Sequence, residues 1–240
     1  EGKFYVWSYE EIERLLTPAE MELVEKCYNI EPEGNFLDEA TKEKTSLNIP
    51  HRTESIDGIA RSLNKDQEQL VKAIDNIRKK LFSERMKRVR PHRDEKILTD
   101  WNGFMIAALA KAGAVLDDKR FILSAERAMN FLLEVMWNKK GELYHRYREG
   151  EVAYRAFLDD YTYLIWGLLE LYESTFNPVY LEKAKTLSDD MLIYFWYEEN
   201  GGLYFTGSYS EELIIRRKDA YDGAMPSGNS VAVLDLIRLA

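Results

Sequence analysis

Hydrophobic residues in the second half of the chain fall into two kinds of helical run, and the two kinds alternate. Within residues 101–116 the stretch Phe104-Met105-Ile106-Ala107-Ala108-Leu109-Ala110 is apolar almost all round, which predicts a helix buried on every side. The next run, about 119–137, keeps Phe121, Ala125, Ala128 and Leu132 on one face and Glu126 and Arg127 on the other. Residues 161–172 are again nearly all apolar, and Asn177-Pro178 opens a more polar helix to about residue 197. Inner apolar helices alternating with outer half-polar ones describe a ring of hairpins around a central axis.

The alternation is a repeat. Shifting the sequence by 60 residues lays Leu98 on Leu158, Asp100 on Asp160, Trp101 on Tyr161, Leu109 on Leu169, and Leu143-Tyr144 on Leu203-Tyr204. A shift of 67 then lays Met225 on Leu158 and Ser227 on Asp160. Self-similarity at such a period signals a repeat architecture and outranks local propensity. The expected organisation is a lead-in over 1–96, a first repeat over 97–156, a second over 157–223 and the start of a third over 224–240. Turns from inner to outer helix are short, around Asp117-Asp118 and Phe176-Asn177. The returns are long, roughly 138–159 and 198–226, with 85–99 before the first copy. Long loops on a rigid scaffold usually carry function, so the rim over the inner-helix N-termini is the expected site.

The lead-in is less regular. Gly2-Lys3-Phe4-Tyr5-Val6-Trp7 resembles the Gly-x-apolar-Tyr strands that close each helix pair and is expected to be extended. Ser8-Tyr9-Glu10-Glu11 and Thr17-Pro18-Ala19-Glu20 read as capping boxes, the second opening a helix to about Tyr28. Residues 29–52 read as irregular, 55–62 as a short helix, and Asn64 as the cap of a long helix with Leu70, Ile74, Ile77 and Leu81 at helical spacing. The chain opens where a repeat should end and closes at Ala240 inside an apolar run, so a piece of a longer protein is expected.

Composition narrows the classes. At 45% hydrophobic and 12% aromatic there is ample material for a core. No apolar run approaches the roughly 20 residues that span a bilayer, so no membrane partner is expected. A net charge of −9 argues against a nucleic-acid surface. The local exception is the basic run from Lys79-Lys80 to Arg93, with Arg85, Lys87, Arg88 and Arg90. Such cations suit a helix C-terminus, or form a patch facing acidic groups of the protein or of a ligand. One cysteine, Cys27, excludes an internal disulfide and a multi-cysteine zinc site, and points to a reducing, cytoplasmic setting. No histidine pair has metal-site spacing, and no Gly-rich phosphate loop or Gly-x-Ser-x-Gly elbow occurs, so neither metal nor cofactor is expected.

Four runs carry a family resemblance: Gly2 to Trp7, Arg90-Pro91-His92-Arg93-Asp94-Glu95-Lys96-Ile97-Leu98-Thr99-Asp100-Trp101-Asn102-Gly103, Phe157-Leu158-Asp159-Asp160-Tyr161, and Asp219-Ala220-Tyr221-Asp222-Gly223-Ala224-Met225-Pro226-Ser227-Gly228-Asn229-Ser230. Together they resemble the YyaL-like, spermatogenesis-associated family of thioredoxin-domain-containing proteins, over nearly the whole chain. The resemblance implies an all-α fold with short β-hairpins, part of an (α/α)6 toroid similar to six-hairpin glycosidases and sugar epimerases. It also implies a thioredoxin-like domain upstream in the full-length chain; no Cys-x-x-Cys occurs here. Fold alone does not license function.

The candidate chemistry lies on the rim. Asp100, Asp160 and Ser227 share a register directly before an inner helix, so each is either an N-cap or a site residue. Asp159 has Thr99 and Pro226 as register partners and no capping duty. With Asp222 it would make the carboxylate pair of glycoside hydrolysis. His92, among Arg90, Arg93 and Asp94, is the candidate proton shuttle, and His51 a second rim histidine that would suit an epimerase. His145 reads as a surface strand residue without a counterpart in the second copy, where Phe205 stands. Arg93, Asp94, Asp100, Asn102, Tyr161 and Asn229 complete the candidate binders of a carbohydrate. The alternative to this carbohydrate-active reading is a non-catalytic interaction domain working with the thioredoxin-like part.

Overall fold

The structure, a computed structural model, describes residues 2–240, which divide into two compact units, one up to Arg93 and one Asp94–Ala240. In the first, a 3-10 turn at Gly2–Phe4 leads to β1 (Trp7–Ser8), α1 (Tyr9–Glu13) and α2 (Pro18–Tyr28). After β2 (Leu47–Asn48), which pairs antiparallel with β1, come α3 (Ile56–Ser62) and α4 (Gln67–Arg85). The opening stretch is therefore a turn where a strand was expected. The physical reason is a side chain: Arg88 donates to the carbonyls of Phe4 and Val6, doing the work a partner strand would do. Ser8 and Thr17 cap α1 and α2, and Thr17 and Glu20 complete a reciprocal capping box. Asn64 is not the cap of α4. It takes a left-handed φ of 49° in the preceding turn, and Asp66 accepts from the Gln69 N–H. Trp7, Ile12, Val24, Cys27, Ile59, Leu70 and Ile77 form the core of this unit.

The second unit is a run of helical hairpins. Strand β3 (Ile97–Leu98) enters α5 (Thr99–Leu116), and a tight turn leads to α6 (Lys119–Phe131), which ends in one π turn at Leu132–Met136. The hairpin of β4 (Tyr144–Arg148) and β5 (Glu151–Arg155) returns the chain, and β3 adds to it in the order β3-β4-β5. A second pair follows, α7 (Leu158–Thr175) and α8 (Pro178–Phe195), and then α9 (Gly228–Leu239). Helix α7 packs against α5 on one side and α9 on the other, while α6 and α8 back onto α5 and α7. The architecture is all-α with small sheets, the paired-helix arrangement of an (α/α)6 toroid. Helix α7 is buried from Tyr161 to Ile165 without a break, as expected of an inner helix. Helix α5 is not: Met105 is 57% exposed and Val115 75%, so its apolar circumference is covered mainly toward α6 and α7.

Two glycines set the spacing of the inner pair. A Cβ on Gly103 would stand 2.6 Å from the carbonyl carbon of Tyr163, and one on Gly167 would stand 3.0 Å from the carbonyl oxygen of Gly103. Backbone thus lies against backbone where α5 crosses α7. Glycine inside a helix normally weakens it by about 0.5–1 kcal/mol relative to alanine. Here overpacking should dominate, at a cost of about 1–3 kcal/mol or more. Gly103→Ala is expected to lower the urea unfolding midpoint; a raised midpoint would show that α5 and α7 separate freely.

Candidate active site

The site is built on Asp160. It sits in the first turn of α7 with no solvent exposure, and three N–H groups converge on its carboxylate. Oδ2 accepts from the Phe157 N–H at 2.8 Å, and Oδ1 from the Asp100 N–H at 3.0 Å. The Nδ1 of His145, on β4, lies 2.9 Å from Oδ1. One carboxylate therefore ties together the starts of two inner helices and the hairpin between them. Neither Asp100 nor Asp160 is an N-cap: the cap positions are Leu98 and Phe157, and neither side chain caps. Ser227 alone fulfils that expectation, accepting from the Ser230 N–H. Burial raises the Asp160 carboxyl, and His145 and the backbone donors oppose it. A proton on Asp160 would displace one of those donors, which favours its carboxylate form, and the bond to that carboxylate favours the imidazolium form of His145. His145 is raised above its ordinary value by that bond.

Beside this knot opens a cleft of about 360 Å³, lined by Asp100, Asp159, Asp219, Tyr163, Trp101 and Tyr221, with Ser227-Gly228 as part of its wall. Asp159 faces it. Burial, then the charges of Asp100, Asp160 and Asp219, push the Asp159 carboxyl up to about 6, against the pull of Arg217. Asp100 is also pushed up to about 6, by burial and then by Asp160, against the Trp101 N–H and His145. Burial, with Asp159 and Asp100 nearby, raises the Tyr163 phenol to about 12, and its hydroxyl donates to the Pro226 carbonyl. Trp101 and Tyr221 are 62% and 87% exposed, so two open rings flank the acids. Gly228 belongs to the design, because a Cβ there would run into Oδ1 of Asp159.

Asp222 is exposed, stands outside the lining, and accepts from the Ser227 N–H at 2.8 Å, which holds its carboxyl below the usual range. It is a loop fastener next to the cleft. Asn229 is another: its amide bonds both the N–H and the carbonyl of Leu203 and also the Asp219 carbonyl. Asn102 donates to the Leu98 carbonyl, and Tyr161 is fully buried against Phe195. Asp94 is exposed and paired with Lys96 at 2.8 Å. His51, His92 and Arg93 belong to the first unit; His92 is exposed, and His51 bonds Asn29 and the Ile49 carbonyl. The residue that sequence reasoning missed is His145, a strand residue as expected but bonded inward. Its lack of a counterpart in the second copy was the available signal. Asp219 was passed over inside a quoted run.

Asp100, His145 and Asp160 bring three ligand-type atoms within 4.8 Å of one another, the one such group among the described residues. Both oxygens of Asp160 are already occupied by N–H donors, so a cation there would have to strip those bonds. The set fits a hydrogen-bonded ion pair better than a metal nest.

The coupling between the acids can be read directly. In carbon-detected NMR titrations, Asp159 should titrate near pH 6, and Asp100→Asn should move that midpoint down toward the ordinary carboxylate value. An unmoved midpoint would leave the pair uncoupled. Stability carries the same sign. A carboxyl whose folded value lies above its unfolded one stabilises fully below the unfolded value, near pH 4. That stability is lost as pH rises through about 6. The unfolding midpoint of the protein should therefore fall between about pH 4 and 6 relative to the Asp100→Asn, Asp159→Asn double variant.

No family model matches the chain. Spermatogenesis-associated protein 20 of Homo sapiens is 32% identical over 260 residues, an alignment that covers 100% of this chain and 33% of that protein. An uncharacterized protein of Caenorhabditis elegans is 30% identical over 264 residues, covering 100% of this chain and 35% of it. The chain thus spans about a third of the length of these relatives. Among solved structures, cellobiose 2-epimerase from Bacillus thermoamylovorans superposes with a TM-score of 0.51 at 20% identity, over 62% of this chain and 40% of that one. At that identity the likeness is one of fold. Along its whole length the chain is similar to spermatogenesis-associated protein 20, and its paired helices share the fold of cellobiose 2-epimerase.

Proposed function

We propose that the cleft binds a carbohydrate and performs acid/base chemistry on it. The observation that carries the reading is the carboxyl pair Asp100 and Asp159, each pushed up to about 6, facing one cleft between two open aromatic rings. Two coupled acids in this range share protons near neutrality, so one can give a proton while the other takes one. Their roles divide by environment. Asp100 accepts the Trp101 N–H and feels the His145 imidazolium, both of which favour its ionised form, so it is the base. Asp159 has no hydrogen bond on its carboxyl among the described residues and is the acid that protonates a sugar oxygen. Trp101 and Tyr221 stack on the sugar face, Asp219 accepts from its hydroxyls, and His145 and Asp160 position Asp100. Asp222, first expected as the second carboxylate, is replaced in that role by Asp100. The buried Cys27 suits a reducing, cytoplasmic setting.

The other reading is a non-catalytic rim that works with a thioredoxin-like domain of a longer protein. What favours it is the length of the relatives, of which this chain spans about a third. Saturation-transfer NMR against a panel of mono- and disaccharides separates the two. The enzyme reading expects saturable binding that Trp101→Ala weakens about tenfold. It also expects turnover that Asp159→Asn lowers by about 10²- to 10⁴-fold with little change in affinity. Absence of binding to any sugar would sink it.

A further inference from the structure

The first unit has a cavity of its own, which sugar chemistry on the second unit leaves unexplained. A cleft of about 710 Å³ runs along α4, within the size range of small-molecule sites. Trp7, Tyr28 and Phe82 supply aromatic wall, and Arg78, Lys79 and Arg85 supply positive charge in a chain whose net charge is −9. Arg78 is neutralised by Asp75 at 3.0 Å. Lys79 and Arg85 have no carboxylate partner among the described residues. The Arg85 guanidinium lies instead 5.4 Å from the ring centre of Phe4 and 5.6 Å from that of Phe82. Its Nε–H is buried with no acceptor, and a buried donor left open calls for an explanation.

The basic run that starts at Lys79 is thus only partly absorbed by the fold. Arg88 is spent on the carbonyls of Phe4 and Val6 and on Glu11, with its guanidinium 4.0 Å over the Trp7 ring. Lys87 pairs with Glu84 and Lys80 with Glu20. Of the cations in this run without a carboxylate partner among the described residues, Lys79 and Arg85 line the cleft, next to a Phe82 ring that is 54% exposed, while Arg90 lies outside it and bonds the Met86 sulfur. We propose that this cleft binds a small organic anion with a flat apolar body. Arg85 and Lys79 hold its carboxylate or phosphate, since guanidinium geometry suits both, and the flat body lies against Phe82 and the Trp7–Tyr28 wall.

Calorimetric titration of the chain with phenyl phosphate, benzoate, inorganic phosphate and benzyl alcohol tests this. At least one aryl anion should bind saturably, roughly tenfold or more tighter than either inorganic phosphate or the neutral alcohol. Which aryl anion binds better identifies the acidic group. Lys79→Glu, at an exposed position, and Arg85→Gln should each weaken binding about tenfold or more. Three results overturn the proposal: no saturable binding of either aryl anion, equal binding of inorganic phosphate or the alcohol, or affinity untouched by both substitutions.

Discussion

A carboxylate without solvent contact holds the second unit's rim together. Burying Asp160 is costly unless its lone pairs are filled, and they are filled by the N–H groups of Phe157 and Asp100 and by the His145 imidazole. Because those donors come from α7, from α5 and from the hairpin, the desolvation cost is offset only when all three elements are in place. The knot is therefore a positional constraint as well as a bond. It fixes where the first turn of α5 begins, and with it where Asp100 and Trp101 point. Thr99 adds a second tie, its hydroxyl donating to the Tyr144 carbonyl on the same hairpin.

The cleft inherits its electrostatics from that knot. The charge on Asp160 contributes to raising both Asp100 and Asp159, while burial does the larger share. The imidazolium beside Asp100 works the other way, and so separates two acids that burial alone would make alike. Arg217 tempers Asp159 from the far side, itself paired with Asp219 at 3.1 Å and lying over the Phe205 ring. Phe205 stacks on Phe157, and Phe157 meets His145 edge-on. A continuous stack of rings thus connects the loop after α8 to the histidine before α7.

What was legible in the sequence was mostly local. Thr17-Pro18, Asn177-Pro178 and Ser227 announce helix starts because a cap and its helix are a few residues apart, and all three behave as read. The repeat register exposed the shared position of Asp100 and Asp160, and with it the rim. Their chemistry was not legible, because an aspartate at the cap and one in the first turn differ only by where the backbone leaves its extended form. At Phe157 that happens three residues earlier than the register suggested, with ψ at 174°. Partnerships across the fold were harder still. Nothing near His145 in sequence reveals an aspartate 15 residues on, and nothing near Asp222 reveals that Ser227 consumes its carboxylate. The over-buried reading of α5 has a similar origin, since periodicity reports how apolar a face is and not what covers it.

The Asn229 amide has a consequence beyond holding the wall of the cleft. It grips Leu203 by both backbone groups and Asp219 by its carbonyl, so the segment between them is closed at its base like a drawstring. Length and composition at the tip, where Ile214 and Ile215 stand in solvent, are thereby uncoupled from the position of Asp219. Evolution is free to lengthen, shorten or rewrite that tip while the acidic wall stays where it is. Diversity among homologues should concentrate in this segment, on a platform that does not have to be rebuilt each time.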